Sequence, residues 1–171
     1  MLETVEIISI LLVALAMAPA LAHVLEFPGK SRLTKDAYLT VQPIYYPGFT
    51  IAGGIGEAGG VISVLAVLLL TPQSAPAFWL RLVALAAMLC MQVVFWLFTQ
   101  PVNKFWLQGA ARPGSFGEAF FNVGSGTPGM RADDPNGWKK MRDRWEYSHI
   151  VRAALAGLGF VLLVVAAVTQ G

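Results

Sequence analysis

Residues 138–153, WKKMRDRWEYSHIVRA, decide the fold: a charged amphipathic run passes without interruption into the apolar stretch Ile150–Thr169. That stretch is long enough to cross a bilayer, whose hydrocarbon core takes about 20 residues of helix. At the junction stands Glu146-x-x-His149, with Arg152 one turn further in. Residues three or four apart share a helix face, so Trp138, Met141, Trp145, His149, Arg152 and Ala156 form one stripe. One face therefore carries bulky aromatics outside the membrane and ionisable groups just inside it.

Three further apolar runs precede this one: Val5–Ala22, Phe49–Leu70 and Phe78–Thr99. Of the 171 residues 56% are hydrophobic and only 13% charged, against about 25% charged in soluble domains. The reading is a single all-α domain, an integral membrane four-helix bundle spanning at 4–23, 49–70, 78–100 and 146–169. A long loop joins helices three and four. The first run follows an acidic segment with Glu3 and Glu6, whereas a secretory signal has a basic one, so a retained helix is expected. Pro19 frees the carbonyl of Leu15 and predicts a kink. Pro28-Gly29 predicts the end of the first helix, and Pro101 limits the third. Residues 109–137 are rich in Gly, Pro and Ser; within them Phe116–Phe121 suits the interface, and Asp134-Pro135 suits a helix cap and first turn. The lone Cys90 cannot form an internal disulfide, and a net charge of +2 does not suggest nucleic acid as a partner.

The basic residues set an orientation. Of the 12 Lys and Arg, all but Arg81 lie in the first and third connections or, as Arg152, at the same end of the fourth helix. The positive-inside rule then places the two long connections in the cytoplasm and both termini outside. In a prokaryotic cell the membrane is the inner one.

Both histidines fall at cytoplasmic helix ends. The first helix reads His23-x-x-Glu26 and the antiparallel fourth reads Glu146-x-x-His149, so each His lies one turn deeper than its Glu, about 4.5 Å along the axis. Two imidazoles and two carboxylates at one level suit a transition metal such as Zn, Fe or Mn, held by His23, Glu26, Glu146 and His149. The same groups suit acid–base work without any cofactor, and the two histidines alone suit haem b. They also suit a solvated helix end. In the second run Glu57 lies nine residues past Gly48, about 13 Å deep, where an ionisable group faces protein, protonated or paired with Arg152. Gly56 and Gly60 form a small-xxx-small pair on which a partner helix, subunit or second copy can dock. Tyr45 and Tyr46 suit the headgroup region, with Tyr46 also a substrate contact.

These residues carry a resemblance. His23-Val-Leu-Glu-Phe-Pro-Gly-Lys30, Ile44-Tyr-Tyr-Pro-Gly48, Glu57, Pro101-Val-Asn103, Arg144-Trp-Glu-Tyr-Ser-His149 and Arg152 resemble a family of small four-helix membrane proteins related to fungal anthrone oxygenases. The resemblance spans nearly the whole chain. It implies a four-helix bundle and oxidation of a lipophilic aromatic or quinol-like molecule with O₂; anthrone oxygenases convert an activated methylene to a ketone. On that reading His23 or His149 is the general base, and Glu26 and Glu146 orient the imidazoles. Asn103 and Arg152 stabilise an enolate oxygen, and Glu57, Tyr46 and Trp145 complete the substrate site. Two other functions remain open at this point: a haem or metal carrier using His23 and His149, and a non-catalytic accessory subunit of a membrane complex.

Overall fold

The structure, a computed structural model, describes residues 2–106 and 137–169. The predicted interface segment and the Asp134-Pro135 cap lie outside the described residues. Helix α1 (Leu2–Lys30) is followed by the short α2 (Lys35–Val41) and a 3₁₀ turn (Gln42–Tyr45). Then come α3 (Gly48–Leu69), α4 (Pro76–Val94), a π-helical turn (Phe95–Thr99), α5 (Gln100–Trp106) and the long α6 (Gly137–Val168). The segments Leu2–Lys30, Gly48–Leu69, Pro76–Lys104 and Gly137–Val168 are each long and apolar enough to cross a membrane. The chain is a four-helix membrane bundle.

Around the bundle α1 packs on α3 and α6, while α4 packs on α6 and, more loosely, on α3. The pairs α1/α4 and α3/α6 therefore face each other across the two diagonals. The core is made of small residues and flexible thioethers, among them Val13, Ala16, Ala20, Val64, Ala84, Met88, Met91, Ala156 and Leu163. Ile7, Leu11, Ile55, Ile62, Leu69, Val93 and Val161 point outward and are exposed. A bundle in water puts polar residues there; an apolar outer face is what lipid requires.

Each diagonal is crossed by an ion pair. Arg152 of α6 meets Glu57 of α3, whose other oxygen accepts a hydrogen bond from Gln92 Nε2 at 2.9 Å. Nearer the chain termini, Arg81 of α4 donates to Glu6 of α1 at 2.5 Å and to Thr71 Oγ1 at 2.5 Å. Arg81 is fully buried. Sequence reading treats Glu6 as part of an acidic leader and Arg81 as a helix start, so this second pair is a correction. Charges buried in a low-dielectric bundle persist only when paired.

Two more expectations are overturned. Pro28 does not end α1, which continues to Lys30; that added turn carries Lys30 into the site described below. Pro101 does not end the third span. Its missing N–H leaves the carbonyl of Leu97 without a helical donor, and Arg144 Nη2 donates to that carbonyl at 2.5 Å. One turn earlier the π-helical segment closes through the Gln100 N–H on the Phe95 carbonyl. The close helix approach expected at Gly56 and Gly60 is made inside the chain. A Cβ on Gly56 would lie 2.4 Å from the backbone nitrogen of Ala16, and one on Gly60 would lie 3.4 Å from Val13 Cγ2. The face is used inside the chain, against α1. Since backbone cannot yield as a side chain can, Gly56→Ala should destabilise the bundle by about 1–3 kcal/mol or more. Thermal unfolding in detergent checks this; an unchanged midpoint would mean that α1 and α3 stand further apart than described.

Candidate functional site

At the end of the bundle where α1 finishes and α6 begins, the two imidazoles touch. The ring centroids of His23 and His149 are 4.3 Å apart, edge to face, and both residues are buried. His23 also meets Tyr45 at 4.5 Å, Trp145 at 4.7 Å and Phe49 at 5.3 Å. Trp145 lies 4.2 Å from His149. Tyr45, rather than its neighbour Tyr46, supplies the ring against His23. Four elements thus converge on one aromatic knot: α1, the 3₁₀ turn, α3 and α6.

The expected role of the carboxylates needs correction. Neither Glu hydrogen-bonds an imidazole. Glu26 Oε2 is 3.7 Å from His23 Nδ1, and His149 Nδ1 instead sits 2.8 Å from the backbone carbonyl of Trp145. The organiser is Lys30. Its buried ammonium lies 3.2 Å from His23 Nδ1, 3.1 Å from Glu146 Oε1 and 3.5 Å from Glu26 Oε2. It also stands 5.0 Å from the Trp145 ring and 5.3 Å from that of Tyr45, a cation–π setting. Sequence reading counts Lys30 among the basic residues of a loop and as the end of a family-like stretch, and gives it no role at the site.

These partners fix protons. An ammonium donates and cannot accept, so His23 Nδ1 carries a lone pair and its proton sits on Nε2. A carbonyl accepts and cannot donate, so His149 Nδ1 carries the proton and Nε2 is its basic atom. The two adjoining rings are therefore held in opposite tautomers.

Around Lys30 the carboxylates are held by phenols. Tyr38 donates to Glu146 Oε1 at 2.7 Å, and Tyr45 to Glu26 Oε2 at 2.7 Å. Burial first, then the neighbouring carboxylate, pushes the Tyr38 hydroxyl well above the ordinary tyrosine range. Burial and the Glu26 hydrogen bond raise that of Tyr45. With folded values above the unfolded one, the stabilising contribution is complete below about pH 10 and is lost as pH climbs beyond it. At about pH 11, one unit above the ordinary tyrosine value, subtracting the spectrum of Tyr38→Phe from that of the parent should reveal no tyrosinate band. A full band would place Tyr38 in solvent.

The place expected for a metal is filled by the Lys30 ammonium, which bridges His23, Glu26 and Glu146. Among the described residues no group of three or more His, Cys, Asp or Glu is arranged to hold a metal ion. Haem ligation by His23 and His149 does not fit either, because rings in edge-to-face contact leave no space for a macrocycle between them.

A second set of polar groups flanks His149 along the bundle axis. Glu57 and Asn103 line a cleft of about 190 Å³ between α3 and the α4–α5 segment. Each reaches back to α6: Asn103 Oδ1 accepts from Trp145 Nε1 at 2.7 Å, and Glu57 accepts from Arg152. Trp145 and Arg152 stand one turn before and one turn after His149 on the same face of α6, so the two polar residues of the cleft bracket His149. The Arg152 guanidinium also lies 5.0 Å from the Phe95 ring, and its Nε is buried without a hydrogen-bond partner among the described residues. Glu146 Oε2 is likewise unsatisfied.

Residues 48–162 match the family model described as anthrone oxygenase. The chain belongs to the anthrone oxygenase family. No curated protein and no solved structure matches it. Everything that brackets His149 lies inside the matched segment; His23, Glu26, Lys30, Tyr38 and Tyr45 lie before it.

Proposed function

We propose that this chain is a membrane-embedded oxygenase that uses O₂ to oxidise a lipophilic aromatic substrate carrying a weakly acidic C–H or O–H. Its family membership supports the reaction class. The observation that carries the site assignment is the bracketing of His149, behind the cleft, by Trp145–Asn103 and Arg152–Glu57, of which only Asn103 and Glu57 line the cleft itself. His149 Nε2 takes the proton. Arg152, neutralised in the resting state by Glu57, and the Asn103 amide stabilise the oxyanion that the departing proton leaves on the conjugated substrate. His23, with its proton on Nε2, is the adjoining donor. For an anthrone-type methylene the balance is CH₂ + O₂ → C=O + H₂O: one oxygen atom becomes the ketone and the other leaves as water with both hydrogens.

The test uses protein in lipid nanodiscs, an anthrone and an oxygen electrode, with empty nanodiscs to measure spontaneous autoxidation. One O₂ consumed per ketone formed, well above the empty-disc rate, is the expected result. A rate equal to that of empty discs would overturn the assignment.

The proposed orientation puts this site at the cytoplasmic face, because among the described residues all Lys and Arg except Arg81 gather at that end. A periplasmic-type reporter fused after Gly171 should be active and a cytoplasmic one silent. The reverse pattern would turn the bundle over.

A further inference from the structure

The cleft beside Glu57 opens sideways. Its outer rim is Gly54 and Trp96, both exposed, with Trp96 42% accessible. Its inner wall is Gly53, Glu57, Gln92 and Asn103. The rim lies on the apolar outer surface of the bundle, at the α3–α4 seam, the loosest of the four. Both rim residues lie within the spans Gly48–Leu69 and Pro76–Lys104, where lipid covers an apolar outer surface. A cavity of about 150 Å³ accepts one benzene ring, so about 190 Å³ accepts one ring with a small substituent. It does not accept a whole fused polycycle, whose sites run to about 300 Å³ and more.

The polar groups at the inner wall define what that ring carries. Gln92 spends its amide nitrogen on Glu57, so its carbonyl oxygen remains as an acceptor for a hydroxyl. Asn103 uses Oδ1 for Trp145 and, among the described residues, Nδ2 makes only a long 3.4 Å contact to Gln100 Oε1, so that amide can donate to a carbonyl or phenol oxygen. From these observations we infer that the cleft is a lateral entry seat, through which an aromatic substrate arrives from the bilayer ring first. One ring bearing a hydroxyl or carbonyl oxygen lodges against Gln92 and Asn103, and the rest of the molecule stays in lipid against Trp96. This rests on the oxygenase reading for what happens next, but not for the binding itself.

The glycines supply the test. A Cβ on Gly54 meets nothing within 4 Å, and Leu is a better helix former than Gly, so Gly54→Leu should fold while filling the mouth. Gly48, at the start of the same helix, is equally open and lies outside the cleft, so Gly48→Leu is the matched control. The probe is tritiated 4-decylphenol in nanodiscs, counted by scintillation proximity, with empty discs to subtract partitioning. Saturable binding is expected for the parent and for Gly48→Leu. Gly54→Leu should bind more than about tenfold more weakly, as overpacking a filled site does. Both glycine variants must keep the parent's thermal midpoint. Unaltered binding in Gly54→Leu, equal loss in both variants, or no saturable binding to the parent would each overturn the lateral seat. Saturable, Gly54-dependent binding without any O₂ uptake would overturn the oxygenase reading and leave the seat standing.

Discussion

Replacing Arg152 by Ala is expected to cost the bundle about 3–5 kcal/mol, because it leaves the Glu57 carboxylate buried on the opposite helix without its cation. Among the described residues Glu57 has only Gln92 as its other partner, and one amide does not replace a guanidinium. The double variant Glu57→Gln/Arg152→Met should recover most of that loss. Gln retains an acceptor for Gln92, Met fills the guanidinium stem, and no charge remains to be solvated. Replacing a buried pair by neutral groups of similar size is often neutral or stabilising. Turnover should behave differently: it stays lost in the double variant, which has neither the cation for a substrate oxyanion nor its counter-ion. Unfolding midpoints in detergent, measured beside O₂ uptake, separate the two effects. If Arg152→Ala unfolds no more readily than the parent, the pair is solvated and the diagonal clamp is wrong. If the double variant turns over normally, the pair serves the fold alone.

The fold was legible because spans advertise themselves by length and apolarity, and α6 by its unbroken stripe from Trp138 to Ala156. The proximity of His23 and His149 was legible too, from antiparallel helices with mirrored Glu and His spacings. Long-range pairing was only partly so. Glu57 with Arg152 follows from two charges at similar depth, but Glu6 with Arg81 sits near the chain's terminal end of the bundle, where a charge looks merely interfacial. Lys30 was hidden by a local rule: Pro28-Gly29 reads as a stop, yet proline in a last turn forfeits one hydrogen bond only. The helix then runs on far enough to bury a lysine that composition assigns to a loop. Tyr38 was hidden similarly, since a short helix between spans carries no periodic signal. The preference of Tyr45 over Tyr46 is a matter of rotation within one 3₁₀ turn, which spacing alone does not give. Gly56 is legible as a close-approach residue, but a small face does not reveal which helix will approach it.

The second large effect concerns the two imidazoles, which look equivalent in sequence and are not. His149→Ala is expected to lower turnover by roughly a hundred- to ten-thousand-fold, the usual contribution of a positioned general base. Its Nδ1 is anchored on the Trp145 carbonyl at 2.8 Å, which leaves Nε2 basic and aimed by a rigid helix. His23→Ala should cost much less, because its Nδ1 lone pair is already covered by Lys30 at 3.2 Å and its Nε2 carries a proton rather than accepting one. Lys30→Met tests the same logic from outside the pair. Without the ammonium His23 is free to change tautomer, and the imidazole ¹⁵N shifts should move from a proton on Nε2 to a mixture. Those shifts respond to the tautomer and not to folding alone, so they distinguish a positioning residue from a merely structural one. Glu146 also loses its cation in that variant, so some loss of stability is expected with it. A His23→Ala protein that is inactive beside a working His149→Ala protein would reverse the assignment. Equal, modest losses would remove general-base catalysis from both residues and leave the aromatic knot as packing.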